Sequence, residues 1–278
     1  MKVITISRSY GSGGSLFGKR LAERLDFKYV DDSFIKYLKT NKEASAILLR
    51  NLEDEKSPDI TERFTQLIHN KSYFKAAITV ALYSLIMKRD IVVVGGGAHL
   101  ILDNYPCKIS LMIIRDINER IFDIMQEKGL SEEEAINLVN AKDKEKKRFI
   151  EFYFDKDIND PFSFDITFNA STIKLEHALD IMKLYSERFF SRIDLDEAKL
   201  FAAKRLLENR AKLAIIHHDL ASKAKVDFEA QAEDVLVVKG VVGGPDEKEK
   251  LLNTLWGLKG ISKIIDNLKI STLSRLIY

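Results

Sequence analysis

The chain of 278 residues sets 44 Lys+Arg against 42 Asp+Glu, a formal net charge of +2, and is 46% hydrophobic and 31% charged. These are the proportions of a globular protein long enough for one large domain or two ordinary ones, and the near-balance of charge argues against a nucleic-acid binder. Its one cysteine, Cys107, excludes an internal disulfide and a cysteine-based zinc site.

The first predicted element is the apolar run Val3 to Ile6, which leads through Gly11-Ser12-Gly13-Gly14 into the start of an amphipathic helix. Strand, glycine turn and helix make a phosphate cradle in that order. Glycines let the main chain approach an anion, and a helix N-terminus offers it unpaired N–H groups and a partial positive charge. A full loop of this kind reads G-x-x-x-x-G-K-[S/T]. With Gly13 as the last loop glycine, Gly14 stands where the lysine belongs. Lys19 lies about one and a half turns into the helix and points away from the loop mouth. Arg8, at the place of the first loop glycine, is the better replacement charge, and Ser12 and Ser15 are the nearby hydroxyls for magnesium. A plain strand-to-helix turn would use the same glycines, so the loop by itself leaves both readings open.

From Asp32 to Met87 the pattern is helical, with breaks near Asn41 and at Ser57-Pro58. Its apolar stretch Ala76 to Met87 is shorter than the ~20 residues a bilayer span needs and predicts a buried helix. Short apolar runs at Ile91 to Val94, Ile109 to Ile114 and Ile166 to Phe168, with helical patterns between them, predict a parallel sheet covered on both faces. Ligands of such sheets bind beyond the carboxyl ends of the strands. Glu119 to Glu127 continues as helix and Gly129 stops it. Ser131 with Glu132, Glu133 and Glu134 then predicts a capped helix carrying the basic segment Lys142 to Arg148. Lys174 to Phe190 is the next helix. Cys107 should be buried at a strand start. The absence of a charged-then-apolar leader leads to the expectation of a cytoplasmic protein.

Beyond Ile193 the pattern changes. Asp196 to Lys223 reads as helix with a possible break at Asn209; Val226 to Ala230 and Val235 to Val242 alternate as strands; Asp246 to Trp256 is helical; Ile261 to Ile270 is a strand. Strand, strand, helix, strand predicts a small α+β unit with its own core. The expected division is therefore 1–193 and 196–278.

The opening strand, Gly11-Ser12-Gly13-Gly14 and Tyr29-Val30-Asp31 resemble the cytidylate-kinase-like family, as do Val94-Gly95-Gly96-Gly97-Ala98, Glu119-Arg120, the basic helix with Asp143, and Asp165 to Asn169. The resemblance runs from Met1 to about Arg192. It implies an α/β, P-loop kinase-like fold: a five-stranded parallel core flanked by helices, a helical insert for a nucleoside monophosphate, and a basic lid. Carried onto this chain, it implies ATP phosphates at Gly11, Ser12, Gly13, Gly14 and Ser15, and an acceptor near Asp31 and Gly96. Arg8, Arg120, Lys142 and Arg148 would supply positive charge, and Ser15 and Asp31 would hold Mg2+. Cytidylate kinases carry Lys at the Gly14 position, members of the broader family Arg at the Ser15 position, and both Arg at the Gly96 position. Phosphoryl transfer relies on positioning and on such cations. Two functions follow: transfer of the ATP γ-phosphoryl group to a CMP-like monophosphate, or a catalytically degenerate nucleotide-binding regulator or scaffold. Restoring charge with Gly14→Lys is expected to raise activity. Residues from about Leu206 to Thr272 resemble a BON domain through Val238-Lys239-Gly240-Val241-Val242 and Trp256 to Ile261, which implies a protein partner or a phospholipid surface.

Structural roles compete for several of these residues. Asp32 suits the N-cap of a helix starting at Ser33, whereas Asp31 has the better claim to a ligand. Asp143 and Glu145 interleave the basic segment, so a salt-bridged helix face competes with a phosphate clamp. Of Arg115 and Arg120, one is expected to reach the site while the other pairs with Asp116 or Glu119. The adjacent His217 and His218 point about 100° apart on a helix and make a poor metal face. His99 is expected to pack at a helix start.

Overall fold

The computed structural model describes residues 1–31, 71–217, 220 and 225–271. The helical pattern expected between Asp32 and Asn70, the cap at Asp32 and the side chains of His217 and His218 lie outside the described residues. The chain divides into two compact units. Of the described residues, the first takes 1–31 and 88–198, and the second takes 71–87 and those from 199 onward.

In the first unit, β1 (Val3–Arg8), β2 (Lys28–Val30), β3 (Ile91–Val94), β4 (Lys108–Ile114) and β5 (Ile166–Asn169) form one parallel sheet in the order β2-β3-β1-β4-β5. Strand β3 is apolar at every position, and Ile91, Val92, Val93 and Val94 are all buried. Neighbouring residues of a strand face opposite ways, so burial of every one means that both faces are covered. Helix α1 (Gly14–Leu25) packs on β3 and beside α6 (Leu175–Phe190), with the Phe17 and Phe168 rings 6.0 Å apart. Cys107 is buried just ahead of β4, as expected.

Because β1 pairs with β3 and β4 in parallel register, the carboxyl ends of all three strands share one edge. From that edge emerge the glycine loop after Arg8, Gly95 to Gly97 after β3, and Arg115 after β4. Gly95 to Gly97 leads into a short helix, α3 (Ala98–Ile101), at the helix start expected for His99. Helix α4 (Ile117–Lys128) starts on Asp116, whose carboxylate accepts from the Asn118 and Glu119 amides, and stops at Gly129 with a φ of 65°. Ser131 and Glu134 then form a reciprocal capping box at the start of α5 (Glu132–Phe154).

In the second unit, β6 (Lys225–Ala230) pairs antiparallel with β7 (Val235–Val242), and β7 pairs parallel with β8 (Lys263–Ile270). Helix α8 (Pro245–Trp256) connects β7 to β8. Helix α7 (Leu195–His217) is continuous through Asn209. It uses two faces. Leu207, Ala211, Ala214 and Ile215 join the core with Phe228, Leu236 and Leu251, while Leu206, Leu213 and Ile216 pack with Tyr73, Ala76, Ala77 and Val80 of α2 (Lys71–Ile86). The buried helix expected at Ala76 to Met87 is thus present, and it clusters with C-terminal residues although β2 and β3 flank it in the chain.

Candidate functional site

The loop from Ser9 to Gly13 is built from its own hydrogen bonds. The Ser9 amide donates to the Ile113 carbonyl of β4 at 3.1 Å, and the Ser12 amide donates back to the Ser9 carbonyl at 3.3 Å. The Ser12 hydroxyl lies 2.9 Å from the Ser9 carbonyl and 3.2 Å from that of Ile113. It therefore braces the turn and faces inward. The amides of Gly11, Gly13, Gly14, Ser15 and Leu16 have no acceptor among the described residues. The helix begins at Gly14, so most of this unpaired N–H array is the partial positive end of α1. A Cβ built on Gly13 would meet nothing within 4 Å. The turn is open.

Arg8 stands beside this array. A Cβ on Gly14 would lie 2.6 Å from the Arg8 Cβ and 2.9 Å from its Cγ, so the stem of Arg8 fills the space a side chain at position 14 would need. Ser15, one of the two nearby hydroxyls expected for magnesium, is exposed, as is Lys19 further along α1.

Helix α5 crosses the same strand edge on one face. Asp143, Lys146, Ile150 and Phe154 follow one another at three- or four-residue steps, which places them in a row about 16 Å long. Lys146 donates from Nζ to the Arg8 carbonyl at 3.1 Å, and the same ammonium sits 5.8 Å from the centre of the Tyr10 ring. Asp143 accepts the Tyr10 amide at 2.8 Å. At the far end, Phe154 and Ile150 cover Gly97, where φ is +70° and a Cβ would meet the Phe154 ring at 2.5 Å. Gly97 is the only residue type that fits both that backbone and that contact.

Arg120, expected as a phosphate-clamping cation, is buried and points into this framework. Its Nη1 group donates to the Tyr10 carbonyl at 2.9 Å and to Asp143 at 2.7 Å, and its Nε to the Arg115 carbonyl at 3.1 Å. Arg115 is paired with Glu119 at 2.8 Å and with Asp123. Both arginines are therefore opposed by carboxylates. Lys142 pairs with Glu145 at 2.7 Å, and Arg148 is exposed with no ion pair among the described residues. Asp31 follows β2 at the same strand edge and is half-buried; Gly96 has a φ of +63° with open space where a side chain would project. The described residues contain no cluster of three His, Cys, Asp or Glu side chains arranged for a metal.

His99 is buried in α3, its ring stacked on Phe164 at 4.7 Å between centres. Burial, aided by the Lys108 cation and opposed by Asp103, pushes its pKa down to about 4. Its packing role agrees with the expectation from sequence.

The roles of Tyr10 and Lys146 were not readable from the sequence. Their one signal was the row of Ala135, Val139, Asp143, Lys146 and Ile150 at helical spacing, which marks a packed face interrupted by two charges. Tyr10 itself packs with Ile124, Ala135 and Val139.

Residues 3–172 match the family described as the Cytidylate kinase-like family. A cytidylate kinase from Sulfolobus acidocaldarius is 26% identical over 183 residues, which covers 66% of this chain and 92% of that protein. Among solved structures, an uncharacterized protein from Eubacterium ventriosum aligns with a TM-score of 0.49 and 22% identity, over 67% of this chain and 99% of its own. A shikimate kinase from Bacteroides thetaiotaomicron aligns with a TM-score of 0.36 and 15% identity, over 66% and 98%. The match to the family spans more than half of the sequence and contains the glycine loop, both arginines and the helix laid across them. The chain belongs to the cytidylate kinase-like family.

Proposed function

We propose that the chain binds ATP with its phosphates on the amides of Gly11 and Gly13 to Leu16, and passes the γ-phosphoryl group to a pyrimidine nucleoside monophosphate held near Asp31 and Gly96. The observation that carries this reading is the open turn whose N–H groups have no acceptor among the described residues. Such an array binds anions without a lysine. Arg8, whose stem lies against Gly14, is the arginine beside the array, and Ser15 offers a hydroxyl at the exposed lip. Magnesium, when carried in with the nucleotide, would neutralise phosphate charge; Ser15 and Asp31 are the oxygen donors suited to it. In this reading Arg120 and Asp143 shape the loop, and Arg148, exposed on α5, is a further cation for the phosphates.

A second reading keeps the binding and omits the turnover. It is favoured by the pairing of Arg120 with Asp143 and of Lys142 with Glu145, which spends two of the expected site cations on protein carboxylates. In that case the nucleotide regulates what the BON-like C-terminal unit binds, a protein or a phospholipid surface.

One experiment separates these readings. Melting of the full chain is followed with ATP, GTP, CMP and UMP, with and without magnesium, beside a coupled phosphoryl-transfer assay over a panel of monophosphates. A specific ligand at a hundred times its Kd stabilises by about 2.7 kcal/mol whether or not chemistry follows. Stabilisation with turnover is the expected result. Stabilisation without turnover selects the regulator, and no stabilisation by any nucleotide overturns both.

A further inference from the structure

We infer that Asp143 is a positioning residue for the phosphate cradle, acting through Arg120 and the Tyr10–Gly11 peptide, so that the cradle is formed only while α5 lies across it. The inference rests on the nucleotide-binding reading above and extends it to the control of that site.

Residue 10 is the last before the loop glycines, and both of its main-chain polar groups are held from outside the loop. Asp143 takes its N–H at 2.8 Å, and Arg120 donates to its C=O at 2.9 Å. A peptide bond is planar and trans, so its C=O and the following N–H point in opposite directions. Holding the Tyr10 carbonyl against Arg120 therefore fixes the direction of the Gly11 N–H, a member of the unpaired array. Gly11 has a φ of +77° and no side chain, so its preceding peptide would otherwise rotate readily. Asp143 in turn holds Arg120, at 2.7 Å, in the position from which it reaches Tyr10.

The charges explain how a carboxylate can stand beside an anion site. Asp143 alone would repel phosphate, but the Arg120 guanidinium cancels its charge, and the pair acts on the loop by geometry. Lys146, one turn further along α5, holds the Arg8 carbonyl at the end of β1, at 3.1 Å. Thus one helix grips the main chain before and within the turn. Anything that orders the cradle favours the docked helix, and the reverse follows by linkage.

The test uses the full chain labelled with 15N at glycine, whose spectrum contains at most 13 backbone signals, with MgATP as the probe. The variants are Asp143→Asn, which keeps the shape and removes the charge that holds Arg120, and Arg120→Lys, which keeps the charge and shortens the reach. Both are checked for folding by the unchanged signals of Gly240 and Gly260 in the C-terminal unit and of Gly129 in the first. The expected result has two parts. Each variant displaces the Gly11 amide signal before any ligand is added, and each weakens MgATP binding at least tenfold. If the natural chain binds MgATP and both variants bind it equally well with the Gly11 signal in place, the inference is overturned while the nucleotide-binding reading stands. If the natural chain binds no MgATP, that reading fails, and the ligand-free Gly11 signal still decides the positioning role: displacement supports it and an unmoved signal overturns it.

Discussion

Arg8 and Gly14 exclude one another's side chains: a Cβ on Gly14 would stand 2.6 Å from the Cβ of Arg8. In the usual phosphate loop the first position is glycine and the one after the last glycine is lysine. Here the two are exchanged, cation for glycine, and the contact explains why both changes occur together. Gly14→Lys alone, expected from sequence to raise activity, places its Cβ inside the stem of Arg8. The expected outcome is a loss of about 1–3 kcal/mol from overpacking and no gain in nucleotide binding. Arg8→Gly combined with Gly14→Lys relieves the contact and restores the usual arrangement, so it should recover stability and bind ATP at least as well as the natural chain. Melting and calorimetric titration of the single and double variants check this; a single Gly14→Lys variant that gains affinity would show that the contact relaxes at little cost.

His99 gives the first unit a dependence on pH whose sign is fixed. Its pKa falls from 6.5 to about 4 on folding, so between those values the unfolded chain takes up a proton that the folded chain refuses. Its neutral form is fully accommodated above pH 6.5, and stability drains away as pH falls from there toward 4. From pH 7 to pH 5 this amounts to about 2 kcal/mol. Carboxylates titrate nearby, so the comparison is made by difference: the stability of His99→Gln should fall less than that of the natural chain over this interval in chemical denaturation. Parallel pH profiles for the two proteins would refute the assignment.

The two serines of the loop, equivalent candidates for magnesium by sequence, are separated by their orientation. Ser12 Oγ lies inside the turn against the Ser9 and Ile113 carbonyls, whereas Ser15 is exposed at the start of α1. Ser12→Ala should cost about 1 kcal/mol of stability for the lost hydrogen bonding. Ser15→Ala should leave the ligand-free chain within about 0.5 kcal/mol, as surface changes do, and remove the magnesium-dependent part of its stabilisation by ATP. Melts of both variants with ATP, with and without magnesium, distinguish them, and a magnesium effect that survives Ser15→Ala would dismiss that hydroxyl.

What the sequence disclosed is what short-range chemistry determines. The apolar strands, the stop at Gly129, the capping box of Ser131 and Glu134 and the glycine turn each depend on residues within a few positions of one another. β2 was missed because Lys28–Val30 is only three residues long. The partners within the site were hidden for another reason. Tyr10 meets Arg120 and Asp143 across separations of 110 and 133 residues, and nothing local to any of them names the others. Arg120 looked like a ligand-facing charge because a buried pair and a phosphate clamp use the same residue types, and Asp143 was read only as a partner within its own basic segment.

The pairing of α2 with α7 leads to a prediction about the division of the chain. Helix α2 buries Tyr73, Ala76, Ala77 and Val80 in a cluster with Leu213, and its remaining apolar residues are largely buried as well. A helix apolar on all sides is not stable in water without partners. A chain ended after Ile193, at the boundary the sequence suggested, would remove Leu206, Leu213 and Ile216 from that cluster and expose it. The shortened chain is expected to aggregate or to be cut by protease near residues 71–87 under conditions that leave the full chain intact. A point variant tests the same contact with the chain complete. Leu213→Ala should destabilise by about 2–5 kcal/mol and increase proteolysis within α2, because the cavity opens on that helix. Leu251→Ala, in the separate core under the C-terminal sheet, should destabilise by a similar amount without selectively exposing α2. Limited proteolysis with the cut sites identified by mass spectrometry reads both; a shortened chain that is monomeric and resistant at α2 would show that the helix finds its cover elsewhere.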